Sequence, residues 1–445
     1  MSDDWTPESW QRRPAAQQPE YRDQAALRQA VSRLAHLPPL VTSWEIEALR
    51  AQLGAAARGE GFVLQGGDCC ERFDECASDL IVSKLKILLQ MALILVHGSG
   101  RRVVRLGRFA GQYAKPRSQA TETRDGLTLP SYRGDLVNGI EFTAAARQPD
   151  PQRLLDGYGR AALTLNFIRA LTSGGFADLH LPHQWDLTFA SQTPQENRYQ
   201  DTVARILESI RFVETIIGDS IAELTKAEFY TSHEGLLLWY EQAQTRRVPR
   251  RTGWYNLATH FPWIGDRTRG LGGAHVEYFR GIQNPIGVKI GPSIDAAELL
   301  ELVRVLDPDN QPGRLALIHR FGAERIDACL PPLLDSVRRA GRTVLWICDP
   351  MHGNTETTAA GLKTRRFDRI LAELKRAFAI HKALGSWLGG VHVELTGENV
   401  TECIGGARGL QAHELAQAYR SLIDPRLNYE QSLELALLIA AEMGS

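Results

Sequence analysis

The chain has almost no net charge, few cysteines and no long uninterrupted apolar run, and each shortage removes a class of function. Lys+Arg 51 against Asp+Glu 52 leaves −1 at pH 7, so a sequence-independent grip on nucleic acid or anionic lipid has no global electrostatic support. Six cysteines (69, 70, 76, 329, 348 and 403) in 445 residues, with no charged-then-apolar leader in Met1 to Glu20, predict reduced thiols in a cytosolic protein rather than a disulfide framework. The most apolar stretch, Leu80 to Val96, is broken by Ser83, Lys84, Lys86 and Gln90. It reads as a buried helix and not as the roughly 20 apolar residues of a membrane span. Low-complexity segments and short tandem repeats are also missing, which argues against a solenoid. The glycines of Gly405-Gly406-Ala-Arg-Gly409 lack the strand-before, helix-after setting that a dinucleotide site requires.

What is present is a repeat of another kind: eight short apolar runs, most ending on a residue that can bind a metal or an anion. Phe62 to Gln65 leads into Asp68 and Cys69, Val103 to Leu106 into Arg108, Ala227 to Tyr230 into His233 and Glu234, and Trp254 to Thr259 towards His260, Asp266 and Arg267. Ile286 to Val288 ends on Lys289, Leu315 to Ile318 on His319 and Arg320, Val344 to Cys348 on Asp349 and His352, and Val391 to Val393 on Glu394. Charged groups at the same end of successive parallel strands predict an α/β fold, the (β/α)₈ TIM barrel, whose active site gathers at the C-terminal mouth.

The chain is longer than the roughly 250 residues of a bare barrel. Helical patterns at Gln24 to His36 and Ser43 to Arg58 predict an N-terminal helical extension over residues 1–60, with the catalytic barrel over 61–445. Thr42 and Glu45 stand at capping-box spacing. The first barrel helix is expected over Ser78 to His97, with Ser78 as N-cap and Gly98 as the stop. Far more than one βα unit separates the second and third strands, so an extra helical pair is expected there, as an insert over about 174–224 with Tyr199 to Ile217 as one helix. Helices are further expected at Gln152 to Thr172, Ala274 to Gly281, Ile294 to Leu306, Glu324 to Ala340 and Arg366 to Leu384, the fourth kinked or restarted at Pro331-Pro332. Leu410 to Leu422 and Tyr429 to Met443 are amphipathic, and Asp424 falls in the loop between them.

Two constellations carry chemistry. Cys69, His352, Glu394 and Asp424 would converge at the mouth. Their mixed S/N/O set suits Mn²⁺, Co²⁺, Zn²⁺ or Fe²⁺ better than Mg²⁺ or Ca²⁺. Cys69 alone would read as a small buried hydrophobe. Glu394 argues harder, because a carboxylate among Val391, Val393 and Leu395 is costly unless a cation or metal sits beside it. Arg108, Lys115, Arg117, Ser118, Arg267, Lys289 and Arg320 also fall just past apolar runs, more positive charge than one mouth holds without anions. Two small phosphorylated substrates account for it. By contrast, Arg246-Arg247-Val-Pro-Arg250-Arg251 reads as a solvated turn, and the His180, His183 spacing as a structural pair. A metal-dependent aldolase of phosphorylated sugars, or a silent regulatory barrel, would share most of these features.

With Leu64-Gln-Gly-Gly-Asp-Cys69, Gly111-Gln-Tyr-Ala-Lys-Pro-Arg-Ser118, Asp349-Pro-Met-His-Gly-Asn354, His392-Val-Glu-Leu-Thr-Gly-Glu-Asn399 and Asp424-Pro-Arg-Leu-Asn428 in this order, the chain resembles the type II (plant-like) 3-deoxy-D-arabino-heptulosonate-7-phosphate synthases from about Gly61 onward. The resemblance implies condensation of phosphoenolpyruvate with erythrose 4-phosphate and release of inorganic phosphate, the first committed step of the shikimate route. It implies a divalent ion such as Mn²⁺ or Co²⁺ on Cys69, His352, Glu394 and Asp424. Phosphoenolpyruvate would lie on Arg108, Asp266, Arg267, Lys289 and Arg320, and erythrose 4-phosphate on Lys115, Pro116, Arg117 and Ser118. Lys115, Lys289 and His352 would serve the chemistry itself. Asp266 is a departure, since the family pattern has Glu before the Arg. The resemblance also implies a homo-oligomer, dimer or tetramer, and feedback by an aromatic amino acid, tryptophan foremost, through the accessory helices.

Overall fold

The structure, a computed structural model, describes residues 5–173 and 228–444. Gln24–His36 (α1) and Ser43–Ala57 (α2) come first, and α2 opens with the expected capping box between Thr42 and Glu45. Its apolar residues Leu49, Leu53 and Ala56 join Val63, Val104, Ile318 and Ile347 in one buried cluster. The helix thus plugs the end of the barrel opposite the mouth, its Ala56 lying against Gly61 and Gly389 at the starts of the first and last strands.

Eight strands then form the ring: Gly61–Gly67 (β1), Arg102–Arg108 (β2), Tyr230–Glu234 (β3), Phe261–Ile264 (β4), Ile286–Ile290 (β5), Leu315–His319 (β6), Leu345–Cys348 (β7) and Leu388–Glu394 (β8). Each pairs in parallel with its chain neighbours, and β1 pairs with β8, so the barrel closes and no edge strand remains. Parallel neighbours require crossovers. These include Ser78–Ser99 (α3), Gln152–Ser173 (α4), Leu238–Ala243 (α5), Ala274–Phe279 (α6), Ala296–Leu306 (α7), Ile326–Arg339 (α8) and Phe367–Ala383 (α9). A last helix, Tyr429–Met443 (α10), packs along α3. The period of two along the strands sorts side chains between layers. Ile318 and Ile347 join the inner cluster, while Leu317, Trp346 and Cys348 join the layer beneath the helices.

Several expectations need correction. The fourth strand is Phe261–Ile264; Trp254–Asn256 instead pairs antiparallel with Thr245–Arg247 in a hairpin outside the barrel. A proline disfavours a strand interior, but pairing with β5 starts only at Trp263, so the N–H that Pro262 lacks falls outside that ladder. The Arg246 to Arg251 stretch does turn at Pro249-Arg250, with Arg247, Pro249 and Arg250 exposed, but its two end residues also bind. Arg246 donates to the carbonyls of Leu34 and Leu37, and Arg251 lies over Trp44, 4.1 Å from the ring centre, fastening the N-terminal helices.

Helix α3 runs to Ser99, with Ala77 as N-cap and Gly100 at φ +64° as the stop. Gly98 serves packing instead, since a Cβ there would come within 2.5 Å of Ala440 on α10. Among the described residues this is the one helix whose length and hydropathy would allow a membrane span, and it is largely buried between the barrel and α10. Helix α8 is unsplit by Pro331 and Pro332, because Leu330, Leu333, Leu334 and Val337 form a buried stripe whose burial offsets the lost N–H bonds. Leu410 to Leu422 is not an α-helix; only Ala412–Gln417 makes a 3-10 turn. Buried Glu402 accepts from the backbone N–H groups of Arg420, Ser421 and Arg426 and so pulls that segment into a wrapped loop. The expected insert over about 174–224, including Tyr199 to Ile217 and the His180, His183 pair, lies outside the described residues.

Candidate active site

Register builds the site. Gly67 pairs with Arg108 on one side and with Glu394 on the other, so the C-terminal ends of β2 and β8 meet across β1. Cys69 follows two residues later. Asp424 arrives from the far end of the chain, because Leu427 bridges to Leu395 and its N–H donates 2.9 Å to the Glu394 carbonyl. His352 sits in the turn after β7, held by Asp349, whose carboxylate lies 2.7 Å from Nδ1. That contact leaves Nε2 free to face Glu394 Oε1 at 3.0 Å.

The four residues of the sequence-derived metal set therefore converge. Ligand atoms of Cys69, Glu394 and Asp424 lie within 4.8 Å of one another, with His352 against the same Glu394 oxygen. Lys115 stands among them: its Nζ is 2.5 Å from Cys69 Sγ, 2.5 Å from Asp424 Oδ2 and 3.2 Å from Glu394 Oε1. A side-chain cation thus occupies the position that the donor chemistry would give to a metal ion. Thiol, imidazole and two carboxylates fit a borderline divalent ion.

Electrostatics separate these groups. Burial alone would raise the Glu394 pKa, but His352, Lys115, Arg365 and Arg108 hold it well below the usual carboxylate range. For Asp424 burial is likewise outweighed by Lys115, and the carboxyl stays ionised. Burial and Glu394 push the Cys69 thiol up to about 12, whereas burial lowers the His352 imidazole and keeps it neutral. Burial opposes the charge of Lys115, yet Asp424, Cys69 and Glu394 raise its pKa above the ordinary value. Lys289 goes the other way, to about 8, through burial that its Asp349 partner only partly offsets.

Beside this cluster opens a cavity of about 390 Å³, lined by Lys115, Pro116, Arg117 and Ser118 on one side and by Asp266, Arg267, Lys289 and Arg320 on the other. Arg267 donates 2.8 Å to Ser118 Oγ across the opening. Arg320 reaches Asp266 at 3.2 Å and the His352 carbonyl at 3.1 Å. Arg108, almost fully buried, lines the same cavity. Its guanidinium donates to the Cys69 carbonyl and to Glu394, both at 3.1 Å, with His392 at 2.8 Å.

Comparison with known proteins decides the family. The model of the class-II DAHP synthetase family (DAHP, 3-deoxy-D-arabino-heptulosonate 7-phosphate) matches residues 5–440. The chain belongs to the class-II DAHP synthetase family. A phospho-2-dehydro-3-deoxyheptonate aldolase of Streptomyces coelicolor is 51% identical over 433 residues, covering 97% of this chain and 96% of its own. One of Neurospora crassa is 48% identical over 452 residues, covering 98% and 94%. As a member of that family the protein is a transferase, a DAHP synthase acting at the first step of the shikimate pathway.

Sequence reasoning missed several residues of this DAHP synthase site. Arg365, fully buried, lies 2.7 Å from Glu394 Oε2 and donates to the Pro425 carbonyl beside Asp424. It sits in a Thr-Arg-Arg run, where nothing local separates it from Arg366. Glu71 accepts from the N–H groups of Ala110, Gly111 and Gln112 at 3.1, 3.0 and 2.9 Å, and so fixes the loop that leads to Lys115. Ala110 there has φ +59°, a conformation a non-glycine residue keeps only when its surroundings impose it. The hairpin of Thr121–Arg124 and Leu127–Pro130 in the same loop was also unforeseen. It carries Glu122, which holds Arg117 at 3.3 Å.

Proposed function

We propose that this mouth condenses phosphoenolpyruvate with erythrose 4-phosphate and water, at a divalent ion, to give DAHP and inorganic phosphate. The observation carrying this reading is the approach of Cys69, His352, Glu394 and Asp424 to one point beside a cation-lined cavity. Those four residues would hold the ion, Mn²⁺, Co²⁺ or similar, which supplies Lewis acidity at the aldehyde oxygen.

The chain's own groups do the rest. Arg108, Arg267, Lys289 and Arg320 bind the phosphate and carboxylate of phosphoenolpyruvate, with Asp266 orienting Arg320. Pro116 stiffens the loop on which Lys115, Arg117 and Ser118 take the aldose phosphate. Carbon 3 of phosphoenolpyruvate bonds to the aldehyde carbon, and Lys115, kept as an ammonium, donates a proton as the carbonyl oxygen becomes a hydroxyl. Water then adds at carbon 2, and the bond from carbon 2 to the phosphate oxygen breaks as phosphate leaves. The departing charge is borne by the same arginines and by Lys289. Lys289, with its pKa of about 8, would relay protons during water addition, while His352, its Nδ1 on Asp349, would serve the chemistry by holding the ion through Nε2.

The division into a helical extension over 1–60 and a catalytic barrel over 61–445 rests on the helical patterns before Gly61, and assembly as a homodimer or homotetramer and feedback by tryptophan or another aromatic amino acid rest on the family resemblance. Six unpaired cysteines support a cytosolic setting. The test is phosphate release with each substrate alone and with both, in metal-free and Mn²⁺- or Co²⁺-reloaded enzyme, repeated with tryptophan. We expect release only with both substrates and a metal. Full activity in excess chelator refutes the metal assignment, and cleavage of a sugar phosphate without phosphate release refutes the condensation.

A further inference from the structure

A second group of metal-binding side chains lies behind the barrel wall, on the opposite face of the strands from the catalytic cluster. His319 ends β6 and Cys348 ends β7, and the two are register partners, so their side chains project together towards the helices. Glu373 meets them from α9. One ligand atom from each lies within 4.8 Å of the others, and all three residues are buried.

His319 is the anomaly. It is 0% exposed, and neither ring nitrogen has a hydrogen-bond partner, an arrangement that leaves a buried donor and a buried acceptor both unsatisfied. Its ring stacks on His381, 6.1 Å between centres, and His381 Nε2 is unpartnered as well. Glu373 forms no ion pair among the described residues, and burial pushes its carboxyl up to about 8. Buried nitrogens without partners, a carboxyl without a cation and a thiol together describe a place that lacks a positive ion.

We infer that His319, Cys348 and Glu373 form a structural zinc site, separate from the catalytic metal and sealed between β6, β7 and α9. Loss of the thiol and carboxyl protons gives two negative charges, which neutralise Zn²⁺ and leave the buried site uncharged. Zinc bonds of about 2.3 Å to sulfur and about 2.0–2.1 Å to nitrogen or oxygen set tetrahedral ligands about 3.5 Å apart. The observed spread closes to that with side-chain movement of about 1 Å. His381, stacked on His319 with its Nε2 unpartnered, would supply the fourth ligand by turning towards the trio.

The position gives such an ion a task. Glu373 Oε1 accepts from the N–H groups of Phe321 and Gly322, both at 2.9 Å, and Oε2 accepts from Asn354 at 2.7 Å. These residues follow Arg320 and His352 in the chain. Zinc on Glu373 would therefore tie down, from behind, two loops that face the substrates.

The test uses the full chain with Cys69→Ser and His352→Ala, which remove the only thiol of the catalytic set and its imidazole, produced in cobalt-supplemented medium so that the ion is present during folding. We expect one Co²⁺ per chain by elemental analysis, with a near-ultraviolet thiolate-to-cobalt absorption that vanishes when Cys348→Ser is added. Independently of whether that variant folds, the unaltered protein produced in zinc-supplemented medium should carry two ions per chain. Cobalt absent from the double variant, cobalt bound without the thiolate absorption, an absorption that survives Cys348→Ser, or a single zinc in the unaltered protein would each overturn the assignment.

Discussion

If Cys69 ligates the catalytic ion as a thiolate, loading that ion must expel protons in a fixed number. Glu394 and Asp424 are already ionised and His352 is already neutral in the metal-free protein, while the Cys69 thiol, at about 12, is protonated throughout the physiological range. Cys69 is therefore the one donor that has a proton to give. Apparent affinity for the ion should rise about tenfold per pH unit, about 1.36 kcal/mol, from the pH at which His352 is neutral up to the thiol pKa. Between pH 6.5 and pH 8.5 that amounts to about 100-fold. The assay is calorimetric titration of Mn²⁺ into metal-free enzyme in buffers of different ionisation heat, on a Cys348→Ser background that silences the second cluster. We expect about one proton released per ion, and none when Cys69→Ser is added. Binding of Mn²⁺ with no proton released, or with an affinity independent of pH, would show that the thiolate is not a ligand.

Two further expectations concern the fold. Burial lowers the pKa of His319 and of His381 to about 3, so between about pH 6.5 and pH 3 the unfolded chain binds protons that the native one refuses. Stability is then lost as pH falls through that window, at up to about 1.36 kcal/mol per unit for each histidine. In chelator, His319→Thr should flatten the fall in Tm with acid by one proton's worth, and an unchanged slope would contradict the neutral assignment. Gly67 has φ +144°, and a Cβ there would lie 2.6 Å from the Phe109 ring and 2.9 Å from the Arg108 carbonyl. Gly67→Ala should cost about 2 kcal/mol or more and raise the Mn²⁺ concentration needed for half-maximal rate, because the strain falls two residues before Cys69. A variant with normal Tm and normal metal demand would rule out that coupling.

The barrel was legible because its strands are short apolar runs whose ends carry charge, and the convergence of those ends follows from parallel closure. Glu394 could be flagged from its apolar neighbours alone. The fourth strand was misplaced because Trp254 to Thr259 has the better composition, while Phe261–Ile264 contains a proline whose tolerance depends on where pairing begins. Arg365 and Glu71 were invisible for a different reason. Their importance lies in what they touch across the fold, a carboxylate on β8 and three amides on another loop, and no local pattern encodes that. The wrapped segment before Asp424 escaped for the same reason, its helical periodicity being overruled by one buried carboxylate, Glu402.

The seam between the first and last strands has a consequence for biosynthesis. Cys69 is translated 355 residues before Asp424, and the loop bearing Asp424 is held against β8 through the bridge from Leu427 to Leu395. A ribosome-bound chain that has not yet reached Asp424 holds the thiol without that carboxylate partner. An ion held by the four proposed ligands would therefore be captured only once β8 had closed the ring and brought Asp424 to the thiol.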